Sequence, residues 1–399
     1  MPHLRSQDSM KDLMKIYFGD LKSPLAWCTS AGPAEILRAL GFRVYFPENH
    51  GALLGASRSA QKYIPRANNI GYSSDICSYL TSDIGAWLAK ETPLTAAYGL
   101  PSVPKPDIIV FNTNQCREVA DWFNFFGREF ACPVVGIFPP RHLDEITSDA
   151  VENVVAQFRN LIKVGEDVIG KKMDTASLTE TVKLSREGST LWKKTLDTAR
   201  TKPSPLTFFD GSILMAPIVV LRGTQECVDF YRAALTELQD LAKDKKAAVE
   251  GESVRLYWEG MPIWGRLRSL SELFAKHHAA VVASTYCNSW IFDDFDDQNP
   301  LESTALAYTQ IFINRGERSK QKYLEKMITD FSIDGVVFHD AKTCFNNSNS
   351  RFGLPQRLRK DAGVNTLTID GDLNDLRFFS DGRARTNIET FIEQLAPRV

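Results

Sequence analysis

The sequence predicts an α/β fold with two domains that contain parallel sheets and are joined by a helical segment. Short runs of nearly continuous apolar residues, typical of strands buried on both faces, alternate with segments of helical periodicity in both halves of the chain. This alternation favours parallel sheets linked by helical crossovers. The chain has 399 residues, more than one ordinary domain contains, which favours two or three domains.

Six strands and three crossover helices follow from this pattern. In the first half, strands are predicted at residues 107–111 (DIIVF) and 133–138 (PVVGIF), with a helix at 119–130 between them. The strands predicted in the second half are 254–258, 279–284, 335–339 and 366–369. Helices are predicted before two of these strands, at 267–277 and 318–331.

The middle of the chain has helical periodicity without strand-like runs. Helices are predicted at residues 151–164, 178–200 and 225–245, and three prolines between the last two interrupt any single long helix. We therefore predict Rossmann-like α/β domains at residues 1–150 and 251–399, joined by a helical connector at residues 151–250.

The composition excludes several classes of protein. Hydrophobic residues make up 43% of the chain, charged residues 24%, and the formal net charge is −2, so no basic excess favours nucleic-acid binding. No apolar run reaches the roughly 18–20 residues that span a bilayer. The first ten residues are polar and lack a signal-peptide stretch, and the sequence contains no glycine-rich phosphate-binding loop. We expect a cytoplasmic protein that binds neither nucleic acid nor membrane.

Three of the seven cysteines occupy positions that suit ligand binding. Cys116 and Cys344 each follow a predicted strand, one in each half, and the carboxyl ends of parallel strands are where α/β sheets bind ligands. Cys77 lies at a predicted turn-to-helix junction, where a helix N-terminus stabilises a thiolate. Three such thiols could meet in the cleft between the domains, and they are one short of a four-cysteine cluster site. The alternative is that they are small buried hydrophobic residues.

The other cysteines give weaker signals. Cys132 begins a predicted strand and Cys227 lies within a helical pattern, so both are predicted to be core residues. Cys287 follows the strand at 279–284 and is less easily assigned. No CxxC pair occurs, and the odd number of cysteines does not favour a disulfide framework.

Recognisable motifs extend along nearly the whole chain, from near Pro24 to the end. They are 27–40 (WCTSAGPAEILRAL), 46–56 (FPENHGALLGA), 71–85 (GYSSDICSYLTSDIG), 106–132, 202–205 (KPSP), 221–224 (LRGT), 258–264 (WEGMPIW), 334–344 (DGVVFHDAKTC) and 369–379 (IDGDLNDLRFF). In their residues and in their order, these motifs resemble those of the benzoyl-CoA reductase / (R)-2-hydroxyacyl-CoA dehydratase family.

The resemblance implies a cofactor and partners. It identifies Cys77, Cys116 and Cys344 as ligands of a [4Fe–4S] cluster next to an acyl-CoA substrate. It also implies a related cluster-bearing subunit, identical or different, and a separate ATP-dependent iron–sulfur activator protein that delivers low-potential electrons in anaerobic metabolism. An activator of this kind would explain why the chain has no phosphate loop of its own.

The resemblance leaves the reaction open between alternatives. Segments KPSP, LRGT and AAVVAS are more similar to the ring-reducing subunit, so reduction of an aromatic acyl-CoA is the favoured prediction. Thr29, Ser30 and the region of His339 are more similar to the dehydratases, which eliminate water through a ketyl radical anion, and Phe345 departs from a basic residue common there. Further alternatives are a double-cubane-cluster reductase, with Cys28, Cys132 or Cys287 as extra ligands, and a non-catalytic electron-transfer subunit.

Glu48, Ser30 and His339 are the candidate catalytic residues. Glu48 lies in PENHG and resembles an acidic position of the family, which implies acid–base catalysis; the alternative is an exposed loop carboxylate. Ser30 is a candidate hydrogen-bond donor to the substrate, or else an N-cap for the helix expected near Pro33. His339 is a candidate proton donor, as is His50, although a histidine at a strand end is often structural.

Overall fold

The computed structural model describes residues 3–396, so the predicted domain limits at residues 1 and 399 lie outside the described range. Within this described range, eight strands form two four-stranded sheets. The first sheet contains β1 (Leu25–Cys28), β2 (Arg43–Tyr45), β3 (Ile108–Asn112) and β4 (Val134–Ile137). The second contains β5 (Val254–Glu259), β6 (Ala279–Ser284), β7 (Gly335–Ala341) and β8 (Asn365–Gly371).

Both sheets are parallel throughout and have the same strand order. The first is arranged β2-β1-β3-β4 and the second β6-β5-β7-β8, and all neighbouring strands pair in parallel. Every residue of β3, β5 and β6 is buried, as expected for strands covered by helices on both faces. The predicted α/β class with parallel sheets is confirmed.

The helices surround the sheets and make the chain mostly helical. Those of the first third are α1 (Arg5–Gly19), α2 (Ala34–Ala39), α3 (Pro47–Ala56), α4 (Ala60–Asn69), α5 (Ser78–Ala89), α6 (Leu94–Tyr98) and α7 (Glu118–Phe130). The middle contains α8 (Ser148–Ile169), α9 (Thr175–Asp197), α10 (Phe208–Leu214), α11 (Ala216–Val220) and α12 (Gln225–Lys243). The last third contains α13 (Leu267–Lys276), α14 (Thr285–Asn288), α15 (Pro300–Thr309), α16 (Glu317–Asp330), α17 (Leu354–Asp361) and α18 (Asp381–Leu395).

The sequence pattern predicts six of the eight strands and misses β1 and β2. These two strands have four and three residues, too few for an apolar run or an alternation to stand out. The six predicted helices are present as α7, α8, α9, α12, α13 and α16, with ends shifted by a few residues.

Helices from the first and last thirds of the chain pack against the middle helices. The backbone N–H groups of Arg5 and Ser6 in α1 donate to the Glu237 carboxylate of α12, at 2.7 and 2.9 Å. Helix α15 packs against α8 and α9. The helical layer is thus assembled from three parts of the chain, and the domain limits at residues 150 and 250 stay predictions. Among residues 3–396, no helix combines the length and apolar character that a membrane span requires.

Candidate active site

A cavity of about 1240 Å³, including its open mouth, lies where the carboxyl ends of the two sheets meet. Residues that follow equivalent strands in the two sheets line it, as expected for parallel sheets. The equivalent pairs are Ser30 after β1 and Met261 after β5, Glu48 after β2 and Tyr286 after β6, and Cys116 after β3 and Cys344 after β7. Cys77 is also part of the lining.

Cys77 is the N-cap residue of α5, as the turn-to-helix prediction required. The backbone N–H groups of Tyr79 and Leu80, at the start of this helix, favour the thiolate form and lower the pKa of Cys77, but burial dominates and raises it. The half-buried sulfur is therefore placed at a helix N-terminus on the cavity, where a bound metal would further stabilise the thiolate.

Cys116 and Cys344 have similar surroundings at the ends of their strands. The backbone N–H groups of Val119, in the first turn of α7, and of Asn347 lower the pKa of the Cys116 and Cys344 thiols, respectively. Burial is the larger influence and raises the pKa of both thiols.

The three thiols lie close enough to influence one another. After burial, the largest contribution that raises the pKa of Cys77 is the negative charge of Cys344; for Cys116 it is Cys77, and for Cys344 it is Cys116. Within residues 3–396, however, no group of three or more Cys, His, Asp or Glu side chains converges tightly enough for one metal ion. Three thiols spaced around one cavity suit a polynuclear cluster, whose ligands bind separate metal atoms.

A hydrogen-bonded link fixes the Cys77 segment to the Cys344 segment. The backbone N–H of Ser78 donates to Thr343 Oγ1 at 3.0 Å, and the Thr343 hydroxyl donates to Asp372 Oδ2 at 2.6 Å. The backbone N–H of Thr343 donates to the same carboxylate at 2.8 Å. Because Asp372 follows β8 and Ser78 begins α5, the link sets the distance between the two cysteines.

Glu48 lies in the first turn of α3 and faces the cavity. One carboxylate oxygen accepts a very short hydrogen bond from the backbone N–H of Ser30, and the other accepts from Gln115 Nε2 at 2.8 Å. Burial raises the pKa of Glu48, and these hydrogen bonds only partly oppose the rise. The group is thus oriented on both oxygens and holds a proton more readily than an exposed glutamate.

A buried ion pair supports the loop that carries Ser30. The guanidinium of Arg222 donates to Glu35 Oε1 at 2.9 Å, and both side chains are fully buried. The same guanidinium donates to the carbonyls of Ser30 and Gly32 at 3.2 and 3.3 Å. Tyr308 donates to the second oxygen of Glu35 at 2.7 Å. Ser30 is not the N-cap of α2, because Pro33 occupies that position.

The two histidine candidates do not line the cavity. His339 is fully buried in β7, its Nδ1–H donates to the carbonyl of Met261 at 2.6 Å, and burial lowers its pKa, which keeps the ring neutral. His50 is buried beside Asp83 and makes a 2.8 Å hydrogen bond to Thr92. The structure therefore brings Glu48 and Ser30 to the thiols but not His339, whose catalytic role stays a prediction without geometric support.

The remaining four cysteines lie away from the cavity. Cys28, Cys227 and Cys287 are buried in the core, Cys132 is half-buried, and none of them is part of the cavity lining. All seven cysteines are free thiols. A larger cluster with Cys28, Cys132 or Cys287 as additional ligands has no support in this arrangement.

Several residues of the site escaped the sequence analysis. Arg222 belongs to the LRGT segment, but its partner Glu35 is 187 residues away, so no local pattern connects them. Gln115 is adjacent to Cys116, and no sequence pattern indicates its hydrogen bond to Glu48. Met261 and Tyr286 follow predicted strands as Cys116 and Cys344 do, so the same position at a strand end is the signal that identifies them.

Comparisons with known proteins identify the family. Residues 29–395 match the family described as 2-hydroxyglutaryl-CoA dehydratase, D-component. The α subunit of (R)-2-hydroxyisocaproyl-CoA dehydratase from Clostridioides difficile is 29% identical over 378 residues, which cover 94% of this chain and 91% of the relative. The α subunit of (R)-phenyllactyl-CoA dehydratase from Clostridium sporogenes is 28% identical over 383 residues, covering 94% and 90%.

A relative that catalyses a different reaction is similar as well. A benzoyl-CoA reductase subunit from Thauera aromatica is 28% identical over 365 residues, which cover 88% of this chain and 83% of the relative. All three relatives are named as subunits, which implies a complex of several chains. Since the family match extends over most of its length, this chain belongs to the 2-hydroxyglutaryl-CoA dehydratase D-component family of enzyme subunits, together with 2-hydroxyacyl-CoA dehydratase α subunits and the homologous benzoyl-CoA reductase chain.

Proposed function

We propose that this chain is the substrate-binding subunit of an (R)-2-hydroxyacyl-CoA dehydratase, with a [4Fe–4S] cluster held by Cys77, Cys116 and Cys344. The observation that carries the proposal is a single cavity that combines these three thiols with the oriented carboxyl group of Glu48. The sequence motifs alone favour reduction of an aromatic acyl-CoA. The dehydratase subunits among the relatives support its alternative better, so the preference is reversed.

The donor set supports the cluster assignment. Three cysteine thiols line one cavity, and this donor set leaves one position of a four-iron cluster without a cysteine ligand. When bound, the cluster would supply one low-potential electron to the acyl-CoA thioester. A related cluster-bearing subunit and an ATP-dependent activator are part of the proposal. So is a cytoplasmic location, where seven free thiols stay reduced.

Glu48 supplies the proton chemistry in this proposal. Dehydration removes the hydroxyl group from C2 and a hydrogen from C3 and releases them as water. Because burial raises the pKa of Glu48, its protonated form can give a proton to the departing hydroxyl group. Ser30 and Gln115 hold both oxygens of the carboxyl group and thereby fix its direction toward the cavity.

Aromatic side chains limit the access of water to this reaction. The indole Nε1–H of Trp264 donates to the Tyr79 hydroxyl in a very short hydrogen bond, and both rings line the cavity. The ring of Tyr286 lies 6.0 Å from that of Trp264 in an edge-to-face arrangement. Exclusion of water by these rings strengthens the electrostatic interactions of Glu48 with the substrate and protects reactive intermediates.

The test is an assay of the assembled enzyme under anaerobic conditions. The chain is co-purified with its partner subunit, iron and sulfide are quantified, and activator, ATP and a reductant are added with either an (R)-2-hydroxyacyl-CoA or benzoyl-CoA. Formation of a 2-enoyl-CoA and about four irons per chain support the proposal. Conversion of benzoyl-CoA to a cyclic diene without dehydration would restore the reductase alternative. About eight irons per chain would indicate a double-cubane protein, and no turnover of either substrate a non-catalytic subunit.

A further inference from the structure

We infer that the acyl group taken by this cavity is uncharged and apolar, and that Met215, Val219 and Ile311 form the wall against which it packs. This inference rests on the proposed function and adds the substrate class. These three residues are at most 9% exposed, and all of them line the cavity. They come from the α10–α11 region and from the segment after α15, outside the strand ends that carry the cysteines.

In the described part of the chain, no cationic side chain lines the cavity. The ionisable carboxyl groups of the lining are Glu48 and Glu118, and none of the described lining residues is lysine, arginine or histidine. An acyl chain that ends in a carboxylate would lose its hydration and find no cation. The two carboxyl groups of the lining supply no positive charge in either protonation state. Burial of an unpaired charge is strongly unfavourable, whereas burial of an apolar chain is favourable.

Two arginines near the cavity are not part of its lining. Arg222 is paired with Glu35 and donates to the carbonyls of the Ser30 loop, so it is not available to a substrate carboxylate. Arg141 donates to the backbone carbonyl of Gln115 at 3.2 Å, and its buried Nε has no partner among the described residues, but the side chain does not line the cavity.

Two serine hydroxyl groups of the cavity lining already donate hydrogen bonds within the protein. Ser212 donates to the carbonyl of Phe208 at 2.9 Å, and Ser289 donates to that of Thr285 at 2.8 Å. The buried indole Nε1 of Trp290 has no partner among the described residues. Neutral donors compensate a carboxylate much less than a cation does. The wall therefore discriminates by charge, and it accepts branched or aromatic chains that are uncharged.

The comparison of two substrates tests this inference on the holoenzyme with partner subunit and activator. We expect kcat/KM for (R)-2-hydroxy-4-methylpentanoyl-CoA to exceed that for (R)-2-hydroxyglutaryl-CoA by about 10²-fold or more, since an unpaired buried charge is costly. In parallel, calorimetry without activator measures the binding of the unreactive 4-methylpentanoyl-CoA and glutaryl-CoA. Equal or tighter binding of glutaryl-CoA would overturn the inference while dehydration itself could still occur. Absence of dehydration with both hydroxyacyl substrates would instead overturn the proposed function.

A charge introduced into the wall sharpens the test. Met215→Arg places a cation in the cavity, and we expect the binding ratio of glutaryl-CoA to 4-methylpentanoyl-CoA to rise by at least about tenfold. Ile213→Arg is the matched control, because Ile213 lies two residues away, is 41% exposed and does not line the cavity. An equal rise in both variants would contradict the assignment of this wall. If Met215→Arg does not fold, the substrate comparison on the unmodified enzyme decides.

Discussion

The two sheets have one strand order but present different side chains at equivalent positions. Both place a cysteine after the third strand of the order, Cys116 in the first sheet and Cys344 in the second. After the first two strands of the order, the first sheet presents Glu48 and Ser30, whereas the second presents Tyr286 and Met261. The shared topology thus determines that these side chains meet. Their residue types make the strand ends of the first sheet polar and those of the second sheet largely apolar.

The loops after β1 and β5 are also held in different ways. The Ser30 loop is held by the charged guanidinium of Arg222, through the carbonyls of Ser30 and Gly32. The carbonyl of Met261 instead accepts neutral N–H groups, from Trp258 at 3.1 Å and His339 at 2.6 Å. The loop beside the proton-handling carboxyl group is therefore fixed by a charge, and the loop on the apolar side by ring N–H donors.

The largest expected effect concerns the feature that the two sheets share. Replacing Cys116 or Cys344 by alanine should abolish turnover and lower the iron content from about four per chain to below half of that, because each thiol would bind one iron. The measurement is anaerobic iron and sulfide quantification with electronic absorption. Equal losses in both variants are expected if the sheets contribute equally.

Cys227→Ala serves as the control for this pair. Cys227 is 1% exposed in α12 and does not line the cavity, so its loss should leave the iron content unchanged. Deletion of one buried sulfur should cost about 1 kcal/mol of stability. Full iron retention in Cys344→Ala would show that the second sheet supplies no ligand.

The next largest effect concerns the buried charge that holds the Ser30 loop. Arg222→Met should reduce the free energy of unfolding by about 3–5 kcal/mol, because Glu35 is left as an uncompensated buried charge. Arg383→Met is the control, since its ion pair with Asp370 is largely exposed and worth about 0–1 kcal/mol. Chemical denaturation of both variants provides the comparison. A double variant, Arg222→Met with Glu35→Gln, should recover part of the loss; no recovery would contradict the ion-pair explanation.

The sequence predicts one side of this comparison better than the other. The strands before Cys116 and Cys344 are apolar runs of ordinary length, so their carboxyl ends, and the meeting of the two cysteines, follow from the pattern. The strands before Ser30 and Glu48 have four and three residues, and no local pattern reveals them. Glu48 and Ser30 were therefore accessible only through the family resemblance.

Long-range contacts account for what the sequence did not predict. Arg222 supports the Ser30 loop through a partner far away in the chain, and a pairing of that kind has no periodicity. His339 ends the apolar strand predicted at 335–339, but its side chain is fully buried and donates to the carbonyl of Met261. Which side of a strand end faces the cavity depends on tertiary packing, and a strand prediction alone does not determine it.

The equivalent positions of Glu48 and Tyr286 predict unequal effects on catalysis. Glu48→Gln should lower turnover by about 10²-fold because it removes the proton donor and preserves the shape, and the cluster content should be unchanged. Tyr286→Phe, at the equivalent place after β6, should lower turnover by less than about tenfold, since the ring contact with Trp264 is retained. Steady-state assays with matched iron content give both values. Similar losses in the two variants would mean that both sheets supply a group that transfers protons.

The smallest expected effect concerns Glu259, a buried carboxyl group that, unlike Glu48, does not line the cavity. Glu259 ends β5, is fully buried, accepts from Asn349 Nδ2 at 2.7 Å on one oxygen and has no partner among the described residues on the other. Burial raises its pKa from 4.5 to about 7, and the hydrogen bond from Asn349 and the charge of Lys320 offset this only in part. The folded state therefore binds this proton more tightly than the unfolded state does.

The sign of the resulting pH dependence follows directly. The contribution of Glu259 to stability is fully present below its unfolded pKa of 4.5 and is lost as the pH rises through about 7. The total loss is on the order of 3 kcal/mol. Glu259→Gln should remove this dependence, so its thermal midpoint should exceed that of the unmodified chain at about pH 8 and not at about pH 4. Turnover should be unaffected, because Glu259 does not line the cavity. A loss of turnover similar to that of Glu48→Gln would mean that the second sheet also supplies a catalytic carboxyl group.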